Sequence, residues 1–301
     1  MAMTTQTLSL TQRTVLNKVY VVATKNVKKQ WEQFIANNYN TTEQKYNIRQ
    51  VKDIGTAELT PEGEDVRFDD MTPLFNWVAT PVKYTKGLRM TEETEFQLQF
   101  KQVLDKQASF ARAFARQKNR VTSNLLNLGF TSTAYGINSE TLFATSHSMG
   151  GSATFSNRPS VDIALSPLAL EQGLAELRRQ TDANGDPMGP EGDIWLIVPP
   201  ELEWLAKRIV SADKLALTPN NDPNPAGRRV KVGVVDWLTS TRAWFLIAAS
   251  PEEQSLNLVQ GMPYRMDPLP IDKALFYSWV AREMYTVGWS DGHGTWGTLG
   301  A

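Results

Sequence analysis

"TEETEFQLQFKQVLDKQASFARAFARQKNRVTSNLLNLG", residues 91–129, carries the longest regular pattern in the chain. Phe96, Phe100, Val103, Gln107, Phe110, Phe114, Gln117, Val121, Leu125 and Leu128 recur at intervals of three and four. On a helix they form one apolar stripe with two polar interruptions. Thr91 suits the N-cap, Glu92 and Glu93 suit the positive end of the helix dipole, and Gly129 supplies a stop. A helix from Thr91 to Leu128 would be roughly 50 Å long at about 1.5 Å per residue. Globular helices run to about 20 residues, so this one reads as a spine to which other elements attach.

Upstream, residues 1–53 are rich in Thr, Asn, Gln and Lys, with scattered anchors such as Trp31, Phe34 and Tyr46. They read as an arm with one short helix, Asn26 to Asn38. Residues 54–90 are punctuated by Gly55, Pro61, Gly63, Pro73 and Pro81, and "FNWVATPVKYTKGLRM" (75–90) alternates in strand fashion. A long excursion with so little core-forming material seldom packs on its own body, which marks it as functional.

Downstream of a loop over 130–165, Ser166-Pro167 is a cap followed by proline at the first helical position, and Leu170, Leu174 and Leu177 mark one helical face. "DIWLIVPP" (193–200) reads as a buried strand, and Glu201 to Ser211 as a helix. A polar loop fills 212–229. Strands are predicted at Val230 to Val235, Arg242 to Ala249, Leu256 to Gln260 and, longest, 274–289. Helices and strands mix without regular alternation, the mark of an α+β fold.

Composition narrows the chemistry. The 301 residues are 41% hydrophobic and 21% charged, as in ordinary globular proteins. No apolar run approaches a membrane span and the first residues lack a secretory pattern, so a cytosolic protein with no membrane partner is expected. The chain has no cysteine and two histidines, which removes disulfides, thiolate metal sites and cysteine nucleophiles. The net charge of −1 conceals three blocks. Residues 1–52 carry eight Lys/Arg against Glu32 and Glu43; residues 53–70 carry seven acids against Arg67; residues 101–120 carry six bases against Asp105.

Each chemical motif has a simpler reading. Ser146-His147-Ser148 could suggest a hydrolase, but neighbours in an extended chain point apart and no Gly-x-Ser-x-Gly elbow exists. His147 reads as a loop histidine bonded to backbone. "GHGTWG" (292–297) satisfies a dinucleotide pattern by accident, because only four residues follow it; a flexible tail is expected. "DANGDP" (182–187) misses the calcium-loop spacing and reads as an Asn-Gly turn. Trp195, Trp244 and Trp279 sit in apolar runs and read as core. Neither a cofactor nor a metal is expected, and near-neutral charge argues against sequence-specific DNA binding.

The order of features carries more than any single motif. "LFATSHSMGG" (142–151), "SNRPSVDIALSPLALEQGLAELRRQTDANGDPMG" (156–189) and "DIWLIVPPELEWLAKRIVSA" (193–212) together resemble the major capsid proteins of tailed bacteriophages, of the Hong Kong 97-type fold, and particularly Mu-like major head subunits. The resemblance implies an N-terminal arm (1–53), an extended hairpin loop reaching over a neighbouring subunit (54–90) and a peripheral domain with the spine helix (91–165). An axial domain (166–270), with 212–229 as its loop at the capsomer centre, and a return strand with C-terminal tail (271–301) would complete it. His147 falls where that family has a connecting turn.

The function implied is an icosahedral shell of hexamers and pentamers around double-stranded DNA, held without sequence-specific contacts and assembled in the host bacterial cytoplasm into a virion. Portal and decoration proteins are implied partners. Scaffolding is expected from a separate protein, since only about 50 residues precede the hairpin and many family members begin with a long scaffolding segment. An encapsulin-like compartment is the alternative on the same fold.

The charge blocks suggest how copies meet. Glu58, Glu62, Glu64, Asp65, Asp69 and Asp70 of the excursion are expected against Arg112, Arg116, Lys118 and Arg120 of a neighbour's spine helix, or against Lys18, Lys25, Lys28 and Lys29 of its arm. Exposed pairs contribute only about 0.2–1 kcal/mol each, so Phe68, Leu74, Phe75 and Trp77 are expected as apolar anchors.

Overall fold

The computed structural model describes residues 27–52, 54–57, 59–66, 68–69, 73–91, 100–149, 153–211, 229–269 and 276–301. In chain order the strands are β1 (Asn37–Asn40), β2 (Tyr46–Val51), β3 (Pro73–Ala79), β4 (Val82–Thr91), β5 (His147–Ser148) and β6 (Thr154–Phe155). They continue with β7 (Ile194–Val198), β8 (Val230–Val234), β9 (Trp244–Ala248), β10 (Leu256–Pro268), β11 (Phe276–Trp289) and β12 (Thr295–Thr298). The α-helices are α1 (Phe100–Asn127), α2 (Pro167–Arg178) and α3 (Glu203–Ser211).

Two four-stranded sheets organise the molecule. The shorter-stranded one runs β12-β9-β7-β8, with β7 parallel to β8 and antiparallel to β9. Strand β7, "IWLIV", is an apolar run because both of its faces are covered. Side chains alternate across a strand. Leu196 and Val198, with Trp244 and Leu246 of β9, therefore pack under α2 and α3, while Ile197, Phe245 and Ile247 face the other way into a second cluster. One sheet thus joins two cores. Ser166 caps α2 as its sequence requires, its hydroxyl accepting from the Ala169 amide at 3.1 Å.

The longer-stranded sheet runs β1-β10-β11-β4, with β10 and β11 paired from Leu256–Trp289 to Pro268–Trp279. Strand β10 is much longer than Leu256 to Gln260, because β11 offers it a partner along nearly its whole length. Helix α1 lies against this sheet. Phe110 and Phe114 pack on Met266, Trp279 and Ala281, and one end of the helix buries Leu125 and Leu126 in the cluster shared with β9. Leu128, placed on the stripe by spacing, is instead partly exposed. Residues 92–99, where the helix start was expected, lie outside the described residues; Thr91 is the last residue of β4, opposite Phe276.

Two expectations are overturned. The arm helix over Asn26 to Asn38 is a single 3-10 turn, Gln30–Gln33, followed by β1. Trp31, Phe34 and Ile35 are all buried, and the buried Gln30 carboxamide is satisfied by Asp236 in both directions. Burial of three large apolar side chains, about 1.5–3 kcal/mol each, draws this segment onto the body. The flexible tail is also corrected: residues 295–298 form β12, antiparallel to β9, with Trp296 fully buried and its ring tilted against Trp244 at 4.8 Å. The glycines of "GHGTWG" serve packing. Gly294 has φ +71°, and a Cβ there would lie 1.8 Å from the Glu253 carbonyl oxygen.

Candidate assembly interface

His147, expected in a loop, is the first residue of strand β5, opposite Phe155. Its ring is 2% exposed; Nδ1 lies 3.0 Å from Glu140 Oε2, and Nε2 lies 3.1 Å from both the Leu142 carbonyl and Asn157 Oδ1. Both nitrogens are committed to structural partners, while Ser146 points to solvent and the Ser148 amide binds Glu140 Oε1. Asn157 extends the tie, donating to the Leu142 carbonyl at 2.7 Å and to Thr295 Oγ1 at 3.2 Å while accepting from the Ala144 amide at 2.9 Å. The "DANGDP" segment is the expected turn: Asp182 Oδ1 accepts from the Asn184 and Asp186 amides, at 2.8 Å each. Among the described residues no group of His, Asp and Glu could hold a metal ion.

The acidic excursion projects from the β2–β3 pair. β2 and β3 run antiparallel, with Ile48 opposite Trp77, so the intervening residues form a limb whose two ends are fixed. At its base Asp69 Oδ2 accepts from the Gly55 amide at 2.9 Å. Glu62, Glu64 and Asp65 are exposed and enter no ion pair among the described residues. Apolar side chains share that exposure: Leu59 is 95% and Phe68 89% exposed, with Ile54 and Val66 also open. Leaving so many large apolar groups in water on one limb is characteristic of a surface that another molecule covers. Glu58 and Asp70 lie outside the described residues.

Three of the expected anchors are partly or wholly withdrawn from solvent in their own chain. Trp77 is buried in its own chain against Gly288, where a Cβ would stand 2.3 Å from the indole. It therefore cannot anchor a neighbour. Phe75 is half-buried and packed on the same core, and Leu74 is half-buried beside it.

Lys118 also turns inward. Its ammonium donates to Gln260 Oε1 at 2.5 Å and to Glu283 Oε1 at 3.1 Å, and sits over the rings of Tyr285 and Trp31 at 5.0 and 5.6 Å. Burial, then the neighbouring Tyr84 and Glu283, push the Tyr285 hydroxyl's pKa upward and keep that ring neutral beside the pair. Helix periodicity made Lys118 look equivalent to its neighbours, but position 118 falls toward β10 and β11.

Of the other expected cations on α1, Arg116 and Arg120 are open and Arg112 is half-exposed. Lys28 and Lys29 are exposed, Lys29 paired locally with Glu32 at 2.9 Å; Lys18 and Lys25 lie outside the described residues. Among the described residues, no ion pair joins the limb to α1 within one chain. Periodicity also overlooked Trp204, which is 81% exposed on α3 with Lys207 over its ring at 5.8 Å. In "PPELEWLAKRIV" it stands three and four residues before Lys207 and Arg208, on the polar face, and that spacing distinguishes it from core tryptophans such as Trp244.

The same fold occurs in shells. The chain superposes on the asymmetric unit of the bacteriophage PhiM1 mature capsid with a TM-score of 0.54 and 11% identity, covering 87% of this chain and 84% of that one. A virus-like particle from Pyrococcus furiosus gives 0.54 and 10%, covering 95% and 99%. The holo encapsulin complex from Synechococcus elongatus gives 0.53 and 10%, covering 92% and 89%. No curated protein matches the sequence. The α+β architecture is that of Hong Kong 97-type capsid proteins. The family described as phage capsid protein matches residues 77–295, more than half of the sequence; the chain belongs to that family and is a capsid shell subunit.

Proposed function

We propose that the protein is the major head subunit of a tailed, Mu-like phage, assembling through hexamers and pentamers into the icosahedral shell around a double-stranded DNA genome. The observation that carries this reading is the limb within 54–69, where Glu62, Glu64 and Asp65 are exposed beside large apolar side chains and enter no ion pair among the described residues. In the assembled shell the limb of one copy lies on the cationic face of a neighbour's α1, with Arg112, Arg116 and Arg120 opposite Glu62, Glu64 and Asp65. Phe68 and Leu59 supply the apolar contact, and Trp204 of α3 is a second anchor between copies. Residues 54–90 act as the extended loop, 91–165 with 271–301 as the peripheral domain and 166–270 as the axial domain. The phage-head reading rests on the family match, since phage capsids and an encapsulin superpose equally well. A separate scaffolding protein, a portal and decoration proteins complete assembly in the host cytoplasm. Near-neutral overall charge suits a lining that lets DNA in and out.

The test is charge reversal. Glu62, Glu64 and Asp65 changed together to lysine should leave a folded subunit that sediments as small species where the parent protein forms large assemblies. Assemblies of normal size from that variant would remove the limb from the account.

A further inference from the structure

The chain has two histidines, far apart in sequence, and the fold stacks both against one ring. His147 lies 5.0 Å from Phe155 with planes 23° apart; His293 lies 3.9 Å from the same ring at 18°. We propose that His147, Phe155 and His293 form a clasp whose proton-sensitive member is His293: it fastens the tail strand β12 to the β5–β6 hairpin when the His293 imidazole is protonated and loosens it as that ring loses its proton.

The argument is one of donors and acceptors. His293 Nδ1 is 2.6 Å from Asp291 Oδ1 and Nε2 is 3.0 Å from the Thr181 carbonyl. Both partners only accept. An imidazolium has two N–H groups to give them, and a neutral ring has one, leaving a lone pair against an acceptor in a buried site. His147 holds the other side of Phe155 in place, with Glu140 on one nitrogen and the Leu142 carbonyl and Asn157 Oδ1 on the other. The Asn157 amide is fixed beside it, because its Oδ1 accepts from the Ala144 amide and its Nδ2 donates to Leu142 and Thr295.

The surrounding charges agree. Burial alone would pull the His293 pKa down, but the hydrogen bond and charge of Asp291, aided by the Thr181 carbonyl and Asp182, outweigh it and hold the value above 6.5. Burial likewise acts to raise the Asp291 carboxyl, and His293 more than reverses that, holding it below 3.8. Asp182 faces His293 from the turn before β7 with its carboxylate already filled by Asn184 and Asp186. Arg49, Arg178, Glu191, Glu252 and Glu253 line the 520 Å³ cleft onto which His293 opens. Glu140 is the charged group at His147, and Trp289 of β11 meets that ring edge-on at 5.7 Å.

His293 binds its proton more tightly when folded, so its contribution is complete below the ordinary value of 6.5 and is lost as pH rises through the higher folded value. Asp291 contributes above 3.8, and that contribution is lost as pH falls through its depressed value. The clasp is strongest between those limits and opens on the alkaline side. Opening reaches β12 directly, since Gln180 holds both the Gly294 amide and the Thr295 carbonyl, each at 2.9 Å, beside the Thr181 carbonyl that His293 binds.

Hydrogen–deuterium exchange of the full chain at about pH 6 and about pH 9, corrected for intrinsic exchange chemistry, reads this out. Amides of 293–299 should lose protection several-fold at the higher pH while those of α1 do not, and Asp291→Asn should remove the difference. Equal protection of β12 at both values in the parent protein would overturn the proposal. So would a loss shared by α1, or a pH dependence that survives in Asp291→Asn.

Discussion

Lys118 shows how far a single residue's environment can depart from its place in a pattern. Its ammonium is held by Gln260 and Glu283 in a site where both charged side chains are nearly out of water. Removing one member of such a pair leaves the other charge buried and unmatched, which costs about 3–5 kcal/mol. Lys118→Ala should lower the unfolding free energy by that amount in urea titration, whereas Arg120→Ala, at an exposed position on the same helix, should change it by less than about 0.5 kcal/mol. Gly294 is the other sensitive single position. Its left-handed backbone and contact with Glu253 leave no room for a side chain, so Gly294→Ala should destabilise the tail and lower the thermal midpoint. Sequence reading placed His147 in a loop, but the structure puts it in the short strand β5, opposite Phe155, because a two-residue strand leaves no alternation to read. It could not find Glu140 or Asn157 as its partners, since those contacts exist only once the hairpin has closed.

Elements with strong periodicity were legible and elements made by pairing were not. The described part of the stripe on α1, Phe110 to Leu125, and the cap of α2 follow from local spacing, and both appear in the structure. β1 and β12 are four residues each and carry no alternation long enough to read; they exist because β10 and β9 each offer a free edge. The tail is therefore structural. Deleting residues 291–301 would bare the β9 edge and remove the fully buried Trp296, so the truncated chain should be recovered mainly as aggregate. The anchor on α1 can be tested separately. Phe114→Ala takes a ring from the cluster with Tyr264, Met266 and Trp279 and should cost about 3–5 kcal/mol in denaturant unfolding. Trp204→Ala on α3 should leave that stability unchanged and weaken assembly alone, because its ring touches so little of its own chain.

At the scale of the molecule, the charge blocks were visible in the sequence, but their division between inside and outside was not. Trp77 and Lys118, both expected at the surface, are spent on the subunit's own core, so the interface we propose is narrower: limb acids with Phe68 and Leu59 on one side, and Arg112, Arg116 and Arg120 on the other. Contacts of that kind are exposed and screened over about 10 Å at 0.1 M salt, so raising ionic strength should slow assembly before it affects folding. The central claim is that one chain is incomplete by itself. Electron microscopy of the purified, unmodified protein at rising concentration tests it most directly. Closed shells, tubes or rings of repeating subunits are the predicted result; dispersed single subunits at every concentration, with the limb protected in the monomer, would contradict it.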